Sequence, residues 1–299
     1  MAWLVPAFPR QWTAALPRPF SLILCADDYA LSPGVSRGIR EALAAGRLTA
    51  TGCMTNLPHW PREAQDLKPH AARADIGLHL NLSNGAPLSA MPVIAPAGQL
   101  PTLSGLMAGT RKPGAAREIA TEIAAQLDAF QKHFGQPPDF VDGHQHVQAL
   151  PGIAGPLMRE LERRGLAGKT WLRDSADSVH RILARRSHVS KALTLALLSW
   201  SYAGRAKALG FAVNGSFAGF SAFDAKADYA ADFARYLQAP APVHLVMCHP
   251  GHVDAALEAT DPVTVTREQE LAFLVSDGFW QALERAGAKL VRGRAVLSL

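Results

Sequence analysis

The sequence predicts an α/β protein built as a (β/α) barrel, regular or distorted, and three observations carry that expectation. Apolar strand-like runs alternate with helix-like segments along 299 residues, with no internal repeat and no low-complexity linker. About eight such runs are present, at 21–26, 50–55, 75–82, 139–142, 170–173, 211–216, 243–248 and 289–292, the number a parallel barrel needs. Finally, polar residues gather where these runs end, and barrels of this kind carry their chemistry at the carboxyl ends of the strands.

Taken in order, the first run, "FSLILCA", stops at two adjacent acids, Asp27 and Asp28. A helix start follows: Ser32 is a good N-cap, Pro33 suits the first helical position, Val35, Ile39 and Leu43 recur at i, i+4 and i+8, and Gly46 ends the segment. In "DIGLHLNLS" the period of two sets Ile76, Leu78, Leu80 and Leu82 on one face and Gly77, His79 and Asn81 on the other. His79 is thereby directed toward the barrel axis or mouth. The run at 139–142 leads through Asp142 into His144 and His146, and a second strand, loop and helix pattern starts at Pro151, with Ile153, Leu157 and Leu161 before Gly165. "TWLRD" delivers Arg173, and "HLVMCHPGH" delivers His249 and His252. The Pro- and Gly-rich stretch 91–114 reads as a loop near the site mouth. The stretch 174–210 exceeds a simple connection; it is read as a helical insertion packed over the barrel, with contact to an anionic membrane surface as the alternative.

Composition narrows the function classes. With 48% hydrophobic and 18% charged residues the chain can bury a full core, in one large domain or two smaller ones. The formal charge of +5 rests mostly on arginine, without the aromatic-interleaved basic stripe of a nucleic-acid binder, so no nucleic-acid partner is expected. Cys25, Cys53 and Cys248 lie far apart in apolar stretches, as reduced, buried residues of a cytoplasmic protein do. Prolines interrupt the first twenty residues, which show no secretory signal, and "ALTLALLSW" is roughly half the length that spans a bilayer, so no transmembrane segment is expected.

A carboxylate and two imidazoles delivered from three strand ends make a mixed oxygen and nitrogen site suited to one divalent metal ion; the residues are Asp28, His79 and His144. Spacing alone permits zinc, cobalt, manganese or magnesium. The neighbouring acid, Asp27, then has a use as the general base toward an attacking water. His146 is either an alternative ligand or a substrate contact, and Arg173 either holds Asp27 or Asp28 or touches substrate. "NGSFAGF", 214–220, lacks a nucleotide-binding glycine pattern.

The four ordered motifs "ADDYALSPGV", "GLHLNLSNGAPL", "VDGHQHV" and "VMCHPGHVD" together resemble the YdjC-like carbohydrate deacetylases, a family that includes chitooligosaccharide and hopanoid-associated (HpnK-like) deacetylases. The resemblance runs from about Ser21 to the C-terminus. It implies a single-domain, distorted TIM-like (β/α) barrel over 20–299 after an N-terminal extension, 1–19, and a metal-dependent hydrolase that removes acetyl groups from N-acetylated amino sugars, oligosaccharide or glycolipid. By the same resemblance the metal ligands are Asp28, His79 and His144, the usual ion is magnesium, Asp27 is the base and His249 the acid toward the leaving amine. Phe217 or Phe220 would then offer a face to a sugar ring. Three positions depart from the family pattern: Tyr29 and Ala30 follow the acid pair in place of phenylalanine and glycine, and Gln148 ends the histidine run. A phosphoester or cyclic-amide hydrolase, or a glycan-binding protein without activity, are the alternative functions; oligomeric state, a homodimer included, stays open.

Overall fold

The computed structural model describes residues 18–297, so the expected extension at 1–19 lies, but for its last two residues, outside the described part. Eight strands form: β1 (Phe20–Tyr29), β2 (Ala50–Cys53), β3 (Asp75–Leu80), β4 (Phe140–Gly143), β5 (Trp171–Leu172), β6 (Ser216–Ala218), β7 (Val243–Cys248) and β8 (Ala288–Leu290). They run parallel in the order β5-β4-β3-β2-β1-β7-β6. β7 occupies one edge of β1; the other is shared, with β8 beside Phe20 to Leu22 and β2 from Cys25 onward. The sheet curls until Leu172 of β5 meets Val213 through a single parallel bridge, which brings the two ends of the sheet together into a distorted barrel.

Each expected run contains a strand or part of one, and 211–216 departs most. Only Ser216 of that run belongs to β6, because the Asn214 side chain takes hydrogen bonds that a ladder would otherwise make: its Nδ2 donates to the Asp174 and Ser216 carbonyls, and its Oδ1 accepts from the Asp174 N–H.

Strand alternation builds two cores. Leu22, Leu24, Ile76, Leu78, Leu80 and Val246 face the surrounding helices. Ile23, Cys25, Phe140, Trp171, Phe217 and Leu245 fill the lumen, where the Phe140 and Trp171 rings stack 4.4 Å apart. Gly77 is required there, since a Cβ would sit 2.5 Å from the Phe140 ring. Asp75 closes the bottom by accepting from Trp171 Nε1 at 3.0 Å and Arg292 Nε at 2.9 Å. The lumen is therefore packed from its floor up, and it opens at the carboxyl ends of the strands.

The first helix, Pro33–Ala44, starts as its sequence requires, with Ser32 Oγ accepting from the Val35 N–H at 3.1 Å and Val35, Ile39 and Leu43 buried. The stretch 174–210 folds into three helices, Val179–Arg185, Val189–Leu198 and Tyr202–Ala208. Arg185 anchors them to the barrel, donating to Asp177 Oδ2 at 2.6 Å and to the Phe217 carbonyl at 2.7 Å. The stretch 91–114 also contains a helix, Leu103–Gly109, where a loop is expected. Cys25, Cys53 and Cys248 are buried free thiols.

Candidate metal and catalytic centre

The adjacent acids owe their placement to a β-bulge. β1 pairs with β2 at Ala26↔Thr51 and next at Tyr29↔Cys53, so Asp27 and Asp28 together oppose Gly52. Alternation alone would turn one acid outward, but Asp28 takes a left-handed φ of +68°. Both carboxylates consequently reach the lumen mouth.

Asp28, His79 and His144 come together with one donor atom each, all within 4.8 Å of one another. Asp28 Oδ1 lies 3.3 Å from His79 Nε2 and 3.0 Å from His144 Nδ1. His79 Nδ1 is 2.7 Å from Asp142 Oδ1, so a proton on Nδ1 is held there and Nε2 is left to face Asp28. Gly52 makes this pair fit: a Cβ would stand 2.9 Å from both Asp142 Oδ1 and His79 Nδ1. Burial opposes charge on the His79 ring, yet Asp142 and Asp27 raise its pKa to about 10, which marks the spot as one that demands positive charge. Two imidazole nitrogens and a carboxylate oxygen converging at an open cleft fit a divalent metal ion.

Asp27 stands behind this cluster. Burial would raise its pKa, but Arg173, His79 and His249 together outweigh burial and bring it down to about 2. The guanidinium grips it as a fork, Nη1 to Oδ2 at 2.7 Å and Nη2 to Oδ1 at 2.6 Å, and Nη2 also pairs with Asp142. Of the two acids left open in the sequence, Arg173 therefore holds Asp27.

His249 follows β7 and faces the same cleft. Its ring meets Phe223 edge-on at 5.1 Å, and its buried Nδ1 has no partner among the described residues. Burial lowers its pKa to about 4 despite Asp27 and Asp28. Glu270 accepts from the His249 N–H at 2.6 Å and places Oε1 4.0 Å from Nδ1; burial raises the Glu270 pKa to about 7.

His146 lies outside the convergent trio. Its ring packs edge-on against Phe217 and Phe220, each 5.6 Å away, and its Nδ1 is unpartnered among the described residues. Phe217 itself is 1% exposed, with the Arg173 guanidinium 5.9 Å from its ring centroid, so the aromatic rings that border the cleft are Phe220 and Phe223. Gln148, at the departing position, donates from Nε2 to the Arg173 carbonyl at 3.3 Å. The cleft measures about 570 Å³, with the acids and histidines on its floor and Leu103, Met107, Leu195 and Leu198 on its walls.

Three contributors are given no role by the sequence, although one of them, Asp142, stands at a strand end. Arg267 donates from Nη2 to Asp28 Oδ2 at 2.8 Å, Glu270 backs His249, and Asp142 orients His79. Arg267 and Glu270 belong to the helix Val265–Val275, whose sequence offers no spacing relative to the strand-end motifs. Asp142 carried a signal: it precedes His144 by two residues on the inward face of β4.

Fold and cluster together define a parallel α/β-barrel protein with a candidate metal site at the carboxyl ends of its strands. The chain belongs to the YdjC-like protein family, whose model matches residues 21–285. It is 32% identical over 172 residues to a human carbohydrate deacetylase, covering 50% of this chain and 51% of that protein. It is 35% identical over 148 residues to the chitooligosaccharide deacetylase of Enterobacter sp. (strain 638), covering 49% and 57%. The chain spans about half the length of the curated relatives it matches. The crystal structure of a candidate cellobiose-phosphate cleavage protein from Enterococcus faecalis V583 shares the fold, with a TM-score of 0.72 and 21% identity over 93% of this chain and 99% of that one.

Proposed function

We propose that the protein is a metal-dependent hydrolase that removes the acetyl group from an N-acetylated amino sugar, either an oligosaccharide or a glycolipid. The observation that carries this reading is the convergence of Asp28, His79 and His144 beside the Arg173-held Asp27 at the mouth of a closed-bottom barrel. The relatives named carbohydrate and chitooligosaccharide deacetylase support the choice of substrate class.

Asp28, His79 and His144 would hold the ion, magnesium by family resemblance. Such an ion polarises an acyl oxygen and lowers the pKa of water toward neutrality. Asp27, an anion at neutral pH, takes the proton from the attacking water, and Arg173 keeps its carboxylate in one orientation. His249 delivers a proton to the amine as the C–N bond breaks, giving acetate and a free amino sugar. Its own low pKa leaves the resting ring neutral, so the proton must reach it from a neighbour; Glu270, near half protonation at pH 7, stands 4.0 Å from Nδ1. Leu103, Met107, Leu195 and Leu198 give the cleft apolar walls beside the reacting amide.

The test is acetate release by chelator-stripped protein across N-acetylated mono-, oligo- and lipid-linked sugars, with magnesium, zinc, cobalt or manganese restored singly. Metal-dependent acetate from any sugar supports the reading. Metal binding with no acetate from the whole panel overturns it, and phosphatase or cyclic-amidase turnover would then identify the other hydrolase chemistries.

A further inference from the structure

We propose that the helices of 179–200 form a docking surface for an anionic phospholipid bilayer beside the mouth of the cleft. Eight large hydrophobic side chains are exposed among the described residues, and four of them belong to this short segment: Val179 (58%), Leu183 (52%), Leu197 (74%) and Trp200 (82%). Val179 and Leu183 are i, i+4 neighbours on the helix Val179–Arg185 and share a face. Leu197 and Trp200, at i and i+3, lie along and just past the helix Val189–Leu198, whose buried side is Ala192 and Leu195 and whose Leu193 packs on the lumen core. The two helices pack against one another. Among the described residues, nothing covers the exposed Val179, Leu183, Leu197 and Trp200.

Charge selects the partner. Residues 178–210 carry Arg181, Arg185, Arg186, Lys191, Arg205 and Lys207 and no acid. Arg185 is spent on Asp177, which also lies 3.6 Å from Arg181; Arg186, Lys191, Arg205 and Lys207 make no ion pair among the described residues. Exposed apolar side chains flanked by unpaired cations match a bilayer interface rich in anionic headgroups. A two-fold contact between copies would instead set these cations against their own equivalents. Position gives the surface a use: Thr194, Leu195 and Leu198 of the same helix line the cleft, so a bilayer seated on Leu197 and Trp200 lies next to its opening.

Flotation of the full chain with vesicles of phosphatidylglycerol and phosphatidylcholine (1:1) tests the proposal without substrate, so its outcome is independent of the deacetylase reading. The expected result is binding at low salt that falls at least tenfold on pure phosphatidylcholine. Leu197→Ser with Trp200→Ser should weaken it tenfold or more, with an unchanged circular dichroism spectrum, and Arg186→Glu with Arg205→Glu should do so on anionic vesicles. No flotation on anionic vesicles, or equal flotation of the Leu197→Ser, Trp200→Ser protein, overturns the proposal. So does sedimentation that shows a dimer dissociated by those same two substitutions, since the face would then be covered by a second copy.

Discussion

Asp28 pays for its position with a left-handed backbone, and Arg267 returns part of that cost by pairing with Oδ2 and leaving Oδ1 to the histidines. Arg267 is 1% exposed, and Asp28 is held well below the usual carboxylate range because Arg267, His144 and His79 together outweigh burial. Arg267→Gln should therefore weaken metal affinity by about 10–100-fold, the range typical of partners that orient a ligand, as read by titration calorimetry; unchanged affinity would remove Arg267 from the site. Asp27 and His79 separate differently. Asp27→Asn should lower turnover by about 10²–10⁴-fold and keep the metal, whereas His79→Ala should lose both. Full activity in the Asp27→Asn protein would refute the assigned base. Asp27, Asp28, His79, His144 and His249 were legible from sequence because each stands in a motif at the end of an apolar run. Arg267 was not, since a helix some 239 residues away in sequence meets Asp28 only through the closure of the barrel.

At the scale of elements, the strands were legible because alternation and apolar runs survive in the sequence wherever one face meets helices and the other meets the lumen. The bulge in β1 was not, because Asp27 and Asp28 carry no mark of which will turn, and both oppose the single Gly52 across the ladder. Gly52 also clears space for the His79 and Asp142 pair. Gly52→Ala should cost about 1–3 kcal/mol by overpacking, and it should reduce activity more than the stability loss explains, because the displaced atoms are those that aim Nε2. Urea unfolding and acetate release on the same preparation check this, and a folded protein with unchanged activity would show that the aim of His79 tolerates displacement. The same reasoning covers the run at 211–216. Its apolar residues read as strand, but Asn214 bonds the chain to itself and to Asp174, and the ladder begins only at Ser216.

Across the whole molecule, the barrel holds several histidines in neutral form, and that sets how its stability responds to acid. His244 is the clearest case because it lies on the outward face of β7, away from the metal cluster. Nε2 donates to the Tyr236 carbonyl at 2.9 Å, which leaves Nδ1 of the neutral ring to accept from Ser216 Oγ, 2.7 Å away. Burial, aided by Arg185, lowers its pKa to about 4 from the ordinary 6.5. Between those values the unfolded chain binds a proton that the folded chain refuses, so stability falls as pH falls, by about 1 kcal/mol per pH unit for this group. Glu270 runs the other way: its raised pKa lets the folded state bind the extra proton between 4.5 and about 7, and stability there falls as pH rises. The two contributions separate by substitution. His244→Gln cannot titrate, so its deficit relative to the parent chain, measured by urea unfolding with chelator present, should shrink steadily from pH 6.5 toward pH 4. A deficit that stays constant over that window would mean that the folded state accommodates a charged ring at this position, and that burial beside Arg185 does not exclude it.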